Sequence, residues 1–445
     1  MVDYNRSLKL SEKILKDDYA KHLMVGGGTG GLILVRGKGI RVEDIKGKSY
    51  IDCTAQSWAL YLGYANDEIA KTIAEAASNL TQVHQGFHTR QRYYLARKLA
   101  ELAPGNLNKV GFTVGGGPAV ESAMKIALKN RKGAKHFISL WDGYHGSTLG
   151  TIGASYISTQ ASGQFGGAVK FLPLTHDFIR VPNPYCYRCY FGQEPETCDL
   201  SCAKMLELTI QKGISGPCAG VIMEPVQGAG GQIIFPVRYL KKVREICDRY
   251  NIPLIFDEIQ TYCRVGNWFA STLFNVEPDI IVLGKAMGGG TPIAAIIIND
   301  KKLEGFEPTG EDLHTFASNQ ISQAAAIKLI EIIKRDKILQ NTVRMGKYIR
   351  SGIDKLREKY PEIGDIRQLG LHIGIEFVRN PETKEPLIDE TIAIRKEGFN
   401  NGIIFGLSGV HKNVLKIKPP LIINQDEADE VLTLLEKCLQ KVLRK

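Results

Sequence analysis

Six short apolar runs constrain this chain more than any other feature. They are KVGFTV (109–114), HFISLW (136–141), AGVIME (219–224), PLIFDE (253–258), DIIVLG (279–284) and IAAIII (293–298). Each is continuous rather than alternating, so each expects burial on both faces. Helical patterns such as AVESAMKIALKN (119–130) and VRYLKKVREICDRYN (237–251) separate them. Together they predict an α/β fold, a mainly parallel sheet covered by helices on both sides. After about residue 315 long amphipathic helices precede short strands (HIGIEFV, NVLKIKP) and a final helix, which reads as a smaller α+β domain. The N-terminal stretch holds a helix and a short strand with no core of its own, and is expected to join that smaller domain. The division is then 1–60 with 315–445 in the small domain and 61–314 in the large one. A chain of 445 residues is long enough for two such cores.

In a parallel α/β sheet, ligands bind beyond the carboxyl ends of the strands. Here those ends carry unusual residues. KVGFTV runs into Gly115-Gly116-Gly117-Pro118, and HFISLW into Asp142-Gly143-Tyr144-His145. AGVIME ends on Glu224, PLIFDE leads through Asp257 to Ile259 and Gln260, and DIIVLG delivers Lys285. Each alone has a plain structural reading. The glycines suit a tight turn as well as a phosphate cradle at a helix N-terminus. Tyr144 suits a core as well as a platform, and His145 an ordinary hydrogen bond. Asp257 suits a structural ion pair, because an unpaired carboxylate at the end of an apolar strand is costly. Lys285, however, has no reason to end a buried strand unless a dry crevice lets it lose its proton and attack a carbonyl. A phosphate cradle, a flat aromatic, a buried aspartate and a lysine 28 positions after it describe a pyridoxal phosphate site. Lys285 would form the Schiff base, and Asp257 would keep the pyridine nitrogen protonated.

On the ordered set GGGPAVESAMKIA, YHGSTLG, EPVQGAGG, DEIQTYCRVGNWFA, GKAMGGGTPIAA, HTFASNQ and KIKPPL, the chain resembles the class III aminotransferases of the fold-type I pyridoxal phosphate enzymes over nearly its whole length. The resemblance implies that Gly116 and Gly117 hold the cofactor phosphate, although the family usually has serine and glutamate where Gly117 and Pro118 stand. It implies Tyr144 and Ile259 on the two ring faces, Gln260 on the ring hydroxyl, and catalysis by Lys285, Asp257 and Tyr144. His145 and Glu224 are expected in the same cofactor site. Thr315 is expected to reach the phosphate of a neighbouring subunit, hence a homodimer with shared sites, or a tetramer. Trp58, Phe87 and Lys416 are expected near the substrate. Lys416 stands where the family commonly has arginine, and Ala229 where many members carry a gating glutamate, which puts a standard carboxylate clamp in doubt. The implied reaction is transfer of an amino group to a 2-oxo acid such as pyruvate or 2-oxoglutarate, by a ping-pong route. The same residues would serve a racemase or epimerase, or a phospho-lyase.

Net charge is +10 with a pI near 9.0. The lysines are scattered over helix faces, so no nucleic-acid partner is expected. The N-terminus is charged throughout and no apolar run approaches the ~18 residues a membrane helix needs, so a cytoplasmic, non-membrane protein is expected. Gly26, Gly28 and Gly31 match a dinucleotide fingerprint but precede a β-type segment instead of a helix, and fail that motif's context. Four of nine cysteines cluster in an insertion at about 182–203: Cys186, Cys189, Cys198 and Cys202, spaced C-x2-C-x8-C-x3-C. A structural zinc or iron–sulfur cluster, disulfides and free thiols are all open on this spacing.

Overall fold

The computed structural model describes residues 11–24, 31–159, 166–175, 178–307 and 310–444. Gly26 and Gly28 of the fingerprint lie outside the described residues, and the strand Leu34–Lys38 follows them. The large sheet has seven strands: β1 Lys109–Thr113, β2 His136–Leu140, β3 Phe178–Val181, β4 Cys218–Met223, β5 Leu254–Asp257, β6 Ile280–Leu283 and β7 Ala294–Ile298. Their order is β1-β7-β6-β5-β4-β2-β3. All six apolar runs are strands of this sheet. The seventh, β3, escaped because Arg180 interrupts its run, and it needs little apolar character since it pairs on one side only, with β2.

Every pair is parallel except those made by β7, which lies antiparallel between β6 and β1. The link from β6 to β7 is a short turn rather than a crossover helix, and so short a link can only double back. Two reversals leave β1 parallel to the rest. Its carboxyl end therefore opens on the same edge as those of β2, β4, β5 and β6.

Helices sandwich the sheet as continuous apolar strands require. Leu254 and Phe256 of β5 pack with Leu240, Val243 and Ile246 of the helix α2 Val237–Arg249. Ile255 points the other way, into a layer with Val120, Ala123 and Ile126 of the helix α1 Gly116–Asn130. This alternation is the two-residue period of a strand with both faces buried.

The smaller part carries the helices α3 Gln320–Arg335, α4 Ile338–Lys359, α5 Ile388–Asn400 and α6 Gln425–Leu443. Helix α3 packs on the helices Asp67–Asn79 and Arg90–Leu102, whereas α4 and α5, with α6 against both, cover the antiparallel strands β8 Ile363–Leu369, β9 His372–Phe377, β10 Gly406–Ser408 and β11 Val414–Ile417, in the order β8-β9-β11-β10. The N-terminal strands Leu34–Lys38, Arg41–Asp44 and Ser49–Asp52 form a second small sheet, whose last strand pairs in parallel with Ile403–Ile404. The two chain ends thus build one small layer, and its inner edge faces the carboxyl ends of the large sheet.

Candidate active site

A cavity of about 250 Å³ opens at that carboxyl edge, and Gly116, Gly117, Tyr144, His145, Glu224, Asp257, Ile259, Gln260 and Lys285 all line it. Every cofactor residue expected from within one chain is therefore brought together. Asp257 sits at its base. Its Oδ2 accepts from His145 Nδ1 at 2.9 Å, and its Oδ1 from the Ile259 amide at 3.1 Å. His145 is oriented in turn by its backbone N–H, which donates to Ser155 Oγ at 2.9 Å. Glu224 ties two loops together, accepting from the Tyr144 amide at 3.0 Å and the Gly228 amide at 3.0 Å. Burial pushes its carboxyl up to about 7.

Helix α1 begins at Gly116 behind an extended Gly115, so its first N–H groups have no partner within the helix, an arrangement that can receive an anion. The glycines keep this corner roomy. A Cβ on Gly116 would come within 2.9 Å of Ile259 Cδ1, and one on Gly117 within 3.0 Å of Thr148 Cγ2. Lys285 follows β6 in a left-handed conformation, φ 48°, a backbone state that side-chain-bearing residues seldom hold without cause. Burial draws its ammonium below the ordinary lysine range, with Asp257 and Glu224 pulling back.

A second cavity of about 440 Å³ continues from the first and shares Tyr144, Gln260 and Lys285 with it. Trp58, Ala229, Arg395 and Lys416 line its far side. Trp58 is carried on a left-handed turn, Ala55 to Trp58, with φ 44°, 47°, 58° and 69°. That conformation costs about 1–2 kcal/mol per residue. The carboxylate of Asp52 holds the turn, accepting from the Thr54 amide (2.7 Å), Thr54 Oγ1 (2.6 Å), the Gln56 amide (3.1 Å) and the Tyr64 hydroxyl (2.8 Å). Three lysine nitrogens surround the Trp58 ring: Lys418 Nζ at 4.5 Å from its centroid, Lys416 Nζ at 4.6 Å and Lys285 Nζ at 5.4 Å.

Lys418 escaped sequence reasoning. It is fully buried, 2.9 Å from His372 Nε2 and 3.4 Å from Gln260 Oε1. With that oxygen engaged, the Gln260 Nε2 group is the one left for a ligand. Its spacing of two from Lys416 was the available signal, because residues i and i+2 of a strand share a face. Arg395 on α5 had no local signal at all.

Two expected residues are not brought to the site within this chain. Phe87 is 66% exposed and lines neither cavity, and Thr315 is exposed beside it. The segments bearing them are joined, Gln82 Nε2 donating to the Thr315 carbonyl and the His314 amide to Gln85 Oε1 at 3.0 Å.

The expectation of a zinc or iron–sulfur centre is corrected. Cys186, Cys189, Cys198 and Cys202 line one narrow cleft. Yet among the described residues no group of three or more His, Cys, Asp or Glu is placed to hold a metal ion. Arg238 Nη2 lies 2.7 Å from Cys198 Sγ at the mouth of this cleft. All nine cysteines are free thiols, which also removes the disulfide reading. The insertion is anchored by buried polar contacts instead. Arg188 Nε donates to Glu376 Oε1 at 2.6 Å, Tyr185 donates to the same carboxylate, and the Tyr190 hydroxyl donates to Asp142 Oδ2 at 3.0 Å.

Fold and site define an α/β enzyme that keeps a lysine at the floor of a strand-end cavity. Residues 26–439 match the family model described as aminotransferase class-III, and the chain belongs to that family. It is 33% identical to the adenosylmethionine-8-amino-7-oxononanoate aminotransferase of Geobacter sulfurreducens, with 92% of each chain covered. It is 32% identical to the leucine/methionine racemase of Thermococcus litoralis, over 92% of this chain and 91% of that one. A Bacillus anthracis aminotransferase structure superposes with a TM-score of 0.87 at 28% identity, over 97% of this chain and 100% of the other.

Proposed function

We propose that the 250 Å³ cavity binds pyridoxal 5'-phosphate and that the chain moves an amino group from a primary amine or amino acid to a 2-oxo acid such as pyruvate or 2-oxoglutarate. The observation that carries this reading is Lys285, held in a left-handed turn at the cavity floor opposite the Asp257–His145 pair. The residues fit the cofactor. The glycine-walled helix N-terminus suits a phosphate, the buried Asp257 suits a pyridinium nitrogen, and Lys285 suits covalent attachment. Once bound, the cofactor supplies an electron sink for the charge left when a substrate Cα–H bond breaks.

The protein's own groups do the rest. The Gly116 and Gly117 amides hold the phosphate. Asp257, fixed by His145 Nδ1 and the Ile259 amide, holds a proton at the ring nitrogen. Tyr144 and Ile259, which line the same cavity, would confine the ring, and Gln260 Nε2 would be the donor available to its phenolic oxygen. Lys285 Nζ would take the proton from the substrate Cα and return it to the carbon on the other side of the shared nitrogen, two atoms along, and burial, which favours its neutral form, suits it as that base. A racemase reading is favoured by the Thermococcus relative. It differs only in returning the proton to the other face of the same carbon.

Purified protein should show the cofactor's visible absorption. Single amino donors offered without an oxo acid should bleach it, and pyruvate or 2-oxoglutarate should restore it. If the band survives while solvent deuterium enters the α-position, the protein is a racemase. If Lys285→Ala keeps both band and turnover, the reading is wrong.

A homodimer with shared sites is part of this proposal. Phe87, Leu313 and Phe316, 66%, 56% and 60% exposed, flank Thr315 on adjoining segments and offer an apolar face that a second copy would cover. Sedimentation should give twice the chain mass, and Phe87→Asp with Phe316→Asp should shift it toward the monomer. No helix among the described residues is long and apolar enough to cross a membrane. The proposed cytoplasmic location is checked by cell fractionation.

A further inference from the structure

The far cavity carries charge of one sign. Lys416 on β11 and Arg395 on α5 line it together, and among the described residues no aspartate or glutamate does. Lys416 is 7% exposed, yet nothing anionic acts on it: it feels burial and two like charges, Arg395 and Lys285. Arg395 lies over the Phe399 ring, 5.4 Å from its centroid, and its Nε donates to the Phe405 carbonyl at 3.3 Å. Ala229 stands on the same wall and offers no carboxylate to neutralise either. Below Lys416 the Trp58 ring gives a cation-stabilising face, but rings carry no net charge. Two cations gathered in a low-dielectric cavity without a counter-ion are costly, and chains keep such an arrangement where a ligand brings the missing charge.

The chemistry of the pair narrows that ligand. A single planar carboxylate needs one guanidinium fork and delivers one negative charge. Here a compact ammonium with three diverging donors stands near a guanidinium, which suits a tetrahedral oxyanion carrying two charges. The cavity is continuous with the cofactor space through Tyr144, Gln260 and Lys285, so a head group held at Lys416 leaves the other end of a short molecule at Lys285.

We propose that the far cavity receives the doubly charged tetrahedral head of a short amino phosphonate or amino phosphate ester, gripped between Lys416 Nζ and the Arg395 guanidinium, with its amine directed to Lys285. This rests on the reading of the adjoining cavity as the cofactor site.

The test uses the holoenzyme, whose own phosphate position is filled, and head groups that lack an amine and cannot react. Methylphosphonate, methyl phosphate, methanesulfonate and acetate are titrated by calorimetry at near-neutral pH. At least one of the two dianions should bind ten times more tightly than methanesulfonate or acetate, and which of them binds better names the source, phosphonate or ester. Lys416→Met and Arg395→Met should each bring the dianions to the level of acetate, and Arg395→Lys should recover part of the loss. Acetate or methanesulfonate binding as tightly as both dianions, or dianion binding unchanged in both Met variants, overturns the proposal. The visible cofactor band in the same samples separates the two failures. Lost dianion preference with the band intact sinks only this inference, while absence of the band in the wild-type protein sinks the functional reading beneath it.

Discussion

Lys416→Met should stabilise the protein while emptying the far cavity of its affinity for anions. Burial, with Arg395 and Lys285 adding like charge, draws the Lys416 ammonium from an ordinary 10.5 down to about 7. That is three and a half decades of proton affinity, at about 1.4 kcal/mol each, so keeping the charged form folded costs about 5 kcal/mol. The cost has a defined pH window. Below pH 7 the lysine is protonated in both folded and unfolded chains, and the whole penalty applies. As pH rises from 7 toward 10.5 the folded chain has released the proton while the unfolded chain still holds it, so stability climbs. Above 10.5 both forms are neutral and the penalty is gone.

Methionine has a similar length, no charge and the flexibility to lie along Trp58. Local relaxation offsets part of the penalty, so the expected gain at pH 6 is about 2–5 kcal/mol. With an unfolding entropy of about 2.1 cal/mol/K per residue, a chain of this length shifts by roughly 1 °C per kcal/mol, giving a Tm rise of about 2–5 °C. Scanning calorimetry of both proteins at pH 6, 8 and 10 checks it. The gain should be largest at pH 6 and shrink at each step. A gain independent of pH, or a variant less stable at pH 6, would show that Lys416 is not an unpaired buried cation, and the electrostatic reading of the wall would fall with it.

Other substitutions probe the rest of the site. Lys285→Ala should lower turnover by at least 10²–10⁴-fold, the usual worth of a positioned acid–base group, and abolish covalent retention of the cofactor on denaturation. Gly146→Ala forces a Cβ onto a residue at φ 126°, 2.7 Å from Thr151 Oγ1 and 3.0 Å from the Gly117 Cα. It should cost about 1–3 kcal/mol and raise the cofactor dissociation constant, both measurable in one thermal titration. Glu376→Ala leaves Arg188 and part of Arg367 without their buried partner, Arg367 Nη1 lying 2.8 Å from Glu376 Oε2. A loss of about 3–5 kcal/mol is expected, and limited proteolysis should then cut the cysteine-bearing insertion first.

The cofactor side of this site was legible because each of its residues follows a strand of one sheet. Strand order in the chain, apolar continuity and the rule of carboxyl-end binding together place Gly116, Tyr144, Glu224, Asp257 and Lys285 on one edge without any knowledge of side-chain contacts. The far wall follows no such rule. It is assembled from residues 52–58, 229, 395 and 404–418, which belong to four separated stretches, and AQSW contains no glycine or asparagine to announce four successive left-handed residues. Sequence spacing also over-read the four cysteines. Proximity along a loop brings sulfurs to one cleft, but it does not fix their directions, and Arg238 entered the cleft from α2, far along the chain.

The two walls differ in energetic character, and the difference bears on which one sets specificity. Around the cofactor the buried carboxylates are partnered, though burial still raises Glu224: Asp257 by His145, Glu224 by two amides. Across the far cavity the cations are not, because Lys416 and Arg395 face space without an anion and Trp58 rides on a strained turn. Partnered groups cost the empty protein less and do not sort substrates by charge. Uncompensated ones destabilise the empty protein and are relieved only by a ligand of opposite charge, so their cost becomes selectivity. An anionic substrate should therefore raise the Tm of the wild-type protein by more than a neutral amine of equal affinity for Lys285, and the excess should vanish in Lys416→Met.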